Sequence, residues 1–386
     1  MNTRALLAIA LLIGTIAAVL WLRDEDSNGS MSRTAESLPR FGRALTLSKS
    51  SDCKPCHEEV YNEWVGSQHG MAYVNPEVQR LSKGFRDRDC LPCHAPRPIP
   101  ETGLGERALE RLVDLEDGVD CFACHRNQDT MLGGTHITQA VDAPCNPMPS
   151  TAIKDLRTCT PCHDQHKVVQ DWKETTYAVK GPGFKDCNGC HMPEVARAPT
   201  STLPARKGKS HRFPASHDLA TLKSAASMTV NLEGQTLGVV VRNDGTGHNF
   251  PADERHRTVD LTLVCELEDG TVATCRIDRY RNPYRDEFDL RNPLRTPGAE
   301  REYTVTLGSV GLVSVHALRV AADFNPNRKV YYAENTQIPS GEARQYRVSL
   351  PERVKRVTVR LLYKNQPFLA DGEARVLHES VKNVGK

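Results

Sequence analysis

Ten of the 13 cysteines fall into five copies of one pattern: Cys53-Lys-Pro-Cys56-His57, Cys90-Leu-Pro-Cys93-His94, Cys121-Phe-Ala-Cys124-His125, Cys159-Thr-Pro-Cys162-His163 and Cys187-Asn-Gly-Cys190-His191. Each copy reads C-x-x-C-H, the attachment signature of a c-type heme. Two cysteines three apart share one helical turn and reach the two vinyl groups of one porphyrin. The histidine that follows turns to the iron. One copy alone would also suit a redox dithiol or half a zinc site. Five copies, each with its own histidine, point instead to five covalently attached hemes c, with a disulfide framework and zinc as the lesser alternatives.

Successive copies begin 37, 31, 38 and 28 residues apart. That is too little chain to enclose each heme in its own globule, so the hemes must pack against one another. They then supply the apolar core that a 6% aromatic content does not. The polypeptide carries 50 basic and 48 acidic side chains, a formal charge of +2. Ten propionates and five oxidised irons would take this to about −3, and full reduction to about −8. No basic excess suggests nucleic acid.

A heme that only carries electrons takes a second protein ligand, usually histidine or methionine. Nine of the 14 histidines lie outside the motifs. Five are candidate distal ligands: His69, His136, His211, His217 and His248. His69 lies twelve residues beyond His57 on a helix expected over 57–68, about 18 Å along its axis. It therefore cannot reach its own heme and must serve a neighbour. His136 follows a glycine pair, and His211 and His217 follow a polar linker. His248 lies in an interstrand loop with Gly245, Gly247 and Pro251. His166 is a weaker candidate, on a helix expected to run past Tyr177 to about Gly181. His256, His316 and His378 read as ordinary strand or turn histidines.

The elements that must position these groups fall into four segments. An apolar run from Ala5 to Leu22 lies between Arg4 and Arg23-Asp-Glu-Asp. Eighteen residues at about 1.5 Å each match a bilayer's hydrocarbon thickness. The run ends Leu20-Trp21-Leu22, a poor cleavage site, so residues 1–23 read as an uncleaved signal anchor with the amino terminus in the cytoplasm. Residues 24–49 read as a flexible linker, and 50–219 as a mainly helical, loop-rich pentaheme domain. Residues 220–386 alternate with period two in eight or nine strands, among them Thr236–Arg242, Thr258–Leu267, Lys329–Ala333 and Val354–Lys364, and read as a β-sandwich of immunoglobulin type. The fold class is thus α+β and multidomain. A hairpin with its loop at Asp269–Thr271 would place Cys265 and Cys275 opposite each other, as a disulfide or as two buried thiols. Cys145 has no assigned role.

Residues 50–275 resemble the multiheme cytochrome superfamily that includes hydroxylamine oxidoreductase, its tetraheme electron acceptor and the pentaheme nitrite reductase. The resemblance is carried by Cys53–His57 followed by Trp64, Ser67 and His69, by Gly118-Val-Asp-Cys121, by Cys187–His191 continuing as Met192-Pro193, and by Gly247-His248-Asn-Phe-Pro251. It implies that His69 is a distal ligand to another heme and that a carboxy-terminal immunoglobulin-like module follows. The related nitrite reductases carry a lysine in one motif; all five motifs here end in histidine.

The expected function is an exported, membrane-tethered pentaheme electron carrier. It would work between periplasmic or membrane redox partners on the outer side of the cytoplasmic membrane. The alternative is a heme oxidoreductase acting on nitrite or hydroxylamine at an iron with an open position.

Overall fold

The structure is a computed structural model that describes residues 46–134, 143–164, 167–199, 204–252, 256–282, 300–320 and 336–385. The expected anchor, most of the linker, His136 and His166 lie outside them. Among the described residues, no helix is long and apolar enough to cross a membrane.

The motif-bearing region is built from short helices: α1 (Glu58–Val65), α2 (Pro76–Leu81), α3 (Leu91–His94), α4 (Ile99–Thr102), α5 (Cys121–His125), α6 (Thr160–His163), α7 (Val168–Lys173) and α8 (Cys187–His191). Each motif winds as a single turn. The carboxylates of Asp120 and Asp186, immediately before Cys121 and Cys187, accept the Ala123 and Gly189 N–H groups at 2.7 and 2.8 Å. These are N-caps worth about 1 kcal/mol each. Pro92 and Pro161 occupy the first turns of α3 and α6, where a missing N–H costs nothing.

Both expected long helices are shorter. The first ends at Val65, since the Trp64 carbonyl is taken by the Ser67 N–H and hydroxyl at 2.9 and 2.7 Å. The later one ends at Lys173, where Thr175 claims the Trp172 carbonyl in the same way.

Between and after these helices lie β1 (Arg126–Asn127), β2 (Thr130–Gly133), β3 (Pro147–Pro149) and the hairpin β4 (Glu194–Arg197) with β5 (Arg206–Lys209).

Among the described residues, the second region has nine strands: β6 (Ser227–Glu233), β7 (Thr236–Arg242), β8 (Thr258–Leu267), β9 (Val272–Tyr280), β10 (Glu300–Leu307), β11 (Gly311–Val320), β12 (Ala343–Ser349), β13 (Val354–Lys364) and β14 (Arg375–Asn383). They form an antiparallel sheet ordered β10-β11-β12-β7-β6 and another ordered β14-β13-β8-β9. Alternate residues of both, such as Leu237, Val239, Leu261, Leu263, Val313, Val357 and Val359, close one apolar core. The period-two reading gives β7, β8 and β13 to the residue. A strand expected at Lys329–Ala333 lies outside the described residues. Strand β14 escapes the reading because Leu377 is its one buried residue, which leaves no alternation to see.

The Cys265–Cys275 hairpin differs from expectation. Its loop is Glu268–Gly270, with the Leu267 N–H donating to Thr271 at 2.9 Å and Gly270 at φ +82°. A left-handed residue favours glycine and ends a three-residue hairpin loop. The loop therefore starts one residue earlier and the register moves by two. Cys265 pairs with Ala273 and Cys275 with Leu263, and both cysteines are buried free thiols.

The described residues form one compact unit. Helix α9 (Leu219–Ala225), capped by Asp218, puts Leu222 and Ala225 into the sandwich core. His378 on β14 donates to the Ala226 carbonyl at 2.6 Å. Arg375 holds the Ser216 carbonyl at 2.7 Å, and Gln366 holds Glu77 of α2 at 2.9 Å.

Candidate multiheme site

The five motifs converge. The thiols of Cys53 and Cys121 are in hydrogen-bond contact, as are those of Cys93 with Cys162 and Cys159 with Cys187. Motif one thus abuts motif three, two abuts four, and four abuts five. Burial pushes the Cys124 thiol up to about 12. Among the described residues, no group of three or more His, Cys, Asp or Glu could hold a bare metal ion. The zinc alternative has no ligand set there.

Three motif histidines are each paired with a histidine from outside the motifs. The ring centres of His163 and His69 are 5.9 Å apart with planes 49° apart. His125 and His211 are 6.2 Å and 28° apart. His191 and His248 are 6.3 Å and 8° apart. An iron between two imidazoles sets this distance. Two metal–nitrogen bonds of about 2 Å, plus about 1.1 Å from each nitrogen to its ring centre, give about 6.2 Å.

The hydrogen bonds fit the same group. Nδ1 of His125 lies 2.7 Å from the Leu132 carbonyl, and Nδ1 of His211 lies 3.0 Å from that of Lys209. Nδ1 of His191 and His248 meet the carbonyls of Pro214 and Asn249 at 2.9 and 3.0 Å. His94 Nδ1 meets the Ala72 carbonyl at 2.8 Å. A carbonyl only accepts, so the proton is on Nδ1 and Nε2 keeps its lone pair, the arrangement of a metal-bound histidine. Burial, with His163 next in weight, pushes His69 down to about 3, and burial pushes His211 down to about 4. Both are neutral, as ligation requires. The residues present therefore fit heme c.

His69 is placed by residues far away in sequence. Trp64 Nε1 donates to the Val119 carbonyl at 2.8 Å, and the Val119 N–H donates to the His69 carbonyl at 2.9 Å. Gly118 sits at φ +59°, and a Cβ there would lie 2.6 Å from the same carbonyl. Trp64, Ser67, His69 and Gly118 thus form one interlocked contact.

The other histidines are placed differently. The ring centres of His94 and Phe85 are 5.8 Å apart in an edge-on arrangement. His57 is held below its ordinary value by burial, then by Arg206 and His125. His217 is exposed, near Arg257, Arg375 and Glu77, outside the three pairs. His316 meets Glu300 at 3.2 Å. Cys145 lies beside Cys56 of the first motif.

The sequence reading passes over Glu63 and Arg197. Arg197, only 6% exposed, grips both carboxylate oxygens of Glu63 at 3.0 and 2.7 Å. No motif marks either residue; they meet only because β4 folds back over α1.

A family model described as cytochrome c554 and c-prime matches residues 52–126, which span the first three motifs. The fold is similar to the crystal structure of a penta-heme cytochrome c552 from Thermochromatium tepidum, with a TM-score of 0.54 and 16% identity over 88% of this chain and 100% of that one. The family-model match supports a multiheme c-type cytochrome, and the structural match shows the fold. No curated protein matches the chain in sequence. A multiheme cytochrome accounts for the converging motifs and for the imidazoles set at the spacing of an iron's two axial ligands.

Proposed function

We propose that the chain is an exported, membrane-tethered pentaheme c-type cytochrome that carries electrons between redox partners. The observation that carries the reading is the set of three imidazole pairs, each spaced for one iron. When bound, heme c supplies a one-electron Fe(III)/Fe(II) couple. The chain's residues do the rest. Ten cysteines would anchor the groups, the motif histidines would each hold an iron, and His69, His211 and His248 would supply a second ligand to three of them. An iron closed on both sides has no place for a substrate, which favours a carrier over an enzyme. His136, His217 and Met side chains are the candidates for the remaining irons.

The strand order supports an immunoglobulin-like module: β6-β7-β12-β11 faces β9-β8-β13-β14, as A-B-E-D faces C′-C-F-G, with β10 added at an edge. The apolar run from Ala5 to Leu22 supports a single anchor in the cytoplasmic membrane with the remainder on the periplasmic side, facing periplasmic or membrane redox partners. Protease added to intact spheroplasts is expected to remove everything beyond about residue 30. Release of the heme-bearing part without protease would mean that the leader is cleaved.

The deciding experiment is the spin state of the purified, heme-loaded protein. Five low-spin irons establish a carrier. A high-spin share of about one in five would move the assignment to an oxidoreductase with an open iron, of the kind that acts on nitrite or hydroxylamine.

A further inference from the structure

We propose that Glu63 and Arg197 are positioning residues for His211, setting its orientation and the electrostatic field around the iron shared with His125. This rests on the reading of His125 and His211 as one iron's ligand pair.

The geometry is a closed loop of hydrogen bonds. The Glu63 carboxylate accepts the His211 backbone N–H at 2.8 Å and both Arg197 Nη groups at 3.0 and 2.7 Å. Arg197 Nη2 also donates to the Lys209 carbonyl at 2.7 Å. That same carbonyl accepts His211 Nδ1–H at 3.0 Å. His211 is thus held at two points, its backbone by Glu63 and its ring by a carbonyl that Arg197 fixes. Gripped at both oxygens by the Arg197 guanidinium, the Glu63 side chain is a carboxylate.

Two consequences follow. A bidentate guanidinium–carboxylate pair is rigid, so the 28° between the His125 and His211 planes is held rather than averaged. A negative charge beside the site also favours the oxidised, more positive iron. Glu63 leaves the first motif's own helix to serve the third motif's iron, so it couples the fields of two neighbouring groups.

The test uses the full heme-loaded protein and three readouts: covalent heme content, the low-spin ferric EPR spectrum and a stepwise redox titration. Glu63→Gln keeps an acceptor but loses the charge. Expected are unchanged heme content, no new high-spin signal, a shift in one low-spin EPR signal and an upward shift of one redox step. Glu59→Gln, an exposed carboxylate 3.7 Å from Arg197, should move neither readout. Glu63→Gln with all EPR signals and steps unmoved overturns the proposal. So does movement of several signals together, which marks a general structural role. Should Glu63→Gln fail to load five hemes, Arg197→Lys decides. It keeps the charge but loses the fork, and should alter one EPR signal with heme content intact; an unchanged spectrum overturns the clamp. His211→Ala separates the two levels. If it yields no high-spin iron, the ligand assignment itself fails, whatever Glu63→Gln does.

Discussion

His191 of the fifth motif and His248 of the sandwich stand 6.3 Å apart with their planes within 8°, each Nδ1 bonded to a backbone carbonyl. The β-domain thereby completes a site that the motif region begins. His248→Ala should convert one iron from low to high spin and leave the covalent heme content at its wild-type value. A variant with an unchanged low-spin spectrum would refute His248 as a ligand.

The loop bearing His248 reaches that position through two glycines. A Cβ on Gly245 would lie 1.7 Å from the Ser224 carbonyl, and one on Gly247 would lie 3.2 and 3.3 Å from Tyr177 and Trp172. Gly245→Ala must push the loop off α9, with a cost of about 1–3 kcal/mol. Thermal unfolding should show the loss. The same high-spin signal as in His248→Ala should appear in part, while Gly234→Ala, in open space at φ +56°, should give none.

Covalent attachment is the most direct consequence of the motifs. Replacing both cysteines of any one motif by alanine should lower the intact mass by one heme. Fewer than five hemes on correctly exported wild-type protein would contradict the proposed count.

Asp260 gives the β-domain an acid-labile tie. Its side chain is 1% exposed and meets Arg279 at 2.6 Å and Lys364 at 3.0 Å. Burial pushes its carboxyl up, but Arg279 and Lys364 outweigh that and hold it below 3.8. A carboxyl whose pKa falls on folding stabilises the fold above its unfolded value, and loses that contribution as pH drops through the folded value. Asp260→Asn should cost about 3 kcal/mol at pH 7, because the part-buried Arg279 loses its carboxylate and the buried Lys364 keeps only Asp371, at 2.6 Å. In chemical denaturation the difference from wild type should shrink as the pH falls below about 3.8. A gap that persists in acid would mean that packing, not charge, makes the tie.

What the sequence determined by itself is local. The motifs are five-residue units whose chemistry needs only one helical turn, so Cys53 to His191 could be read without a fold. Strand β7 was legible for the same reason, since its side chains alternate between buried and partly exposed along its own length, while β8 and β13, buried over most of theirs, were legible from their β-branched and apolar residues between turns. The expectation that His69 serves a neighbour rested on a helix through residue 68; the helix ends at Val65, and the packed chain sets His69 beside His163. Which neighbour was not legible. Pairing His69 with His163, His211 with His125 and His248 with His191 depends on elements distant in the chain meeting in space, and no spacing encodes that. Tertiary structure also decided the hairpin register, where Gly270's left-handed backbone set Cys265 and Cys275 two residues out of step. It decided the clamp of Glu63 and Arg197 as well. Ion pairs and axial ligands are contacts through space, and only the packed chain brings their partners within reach.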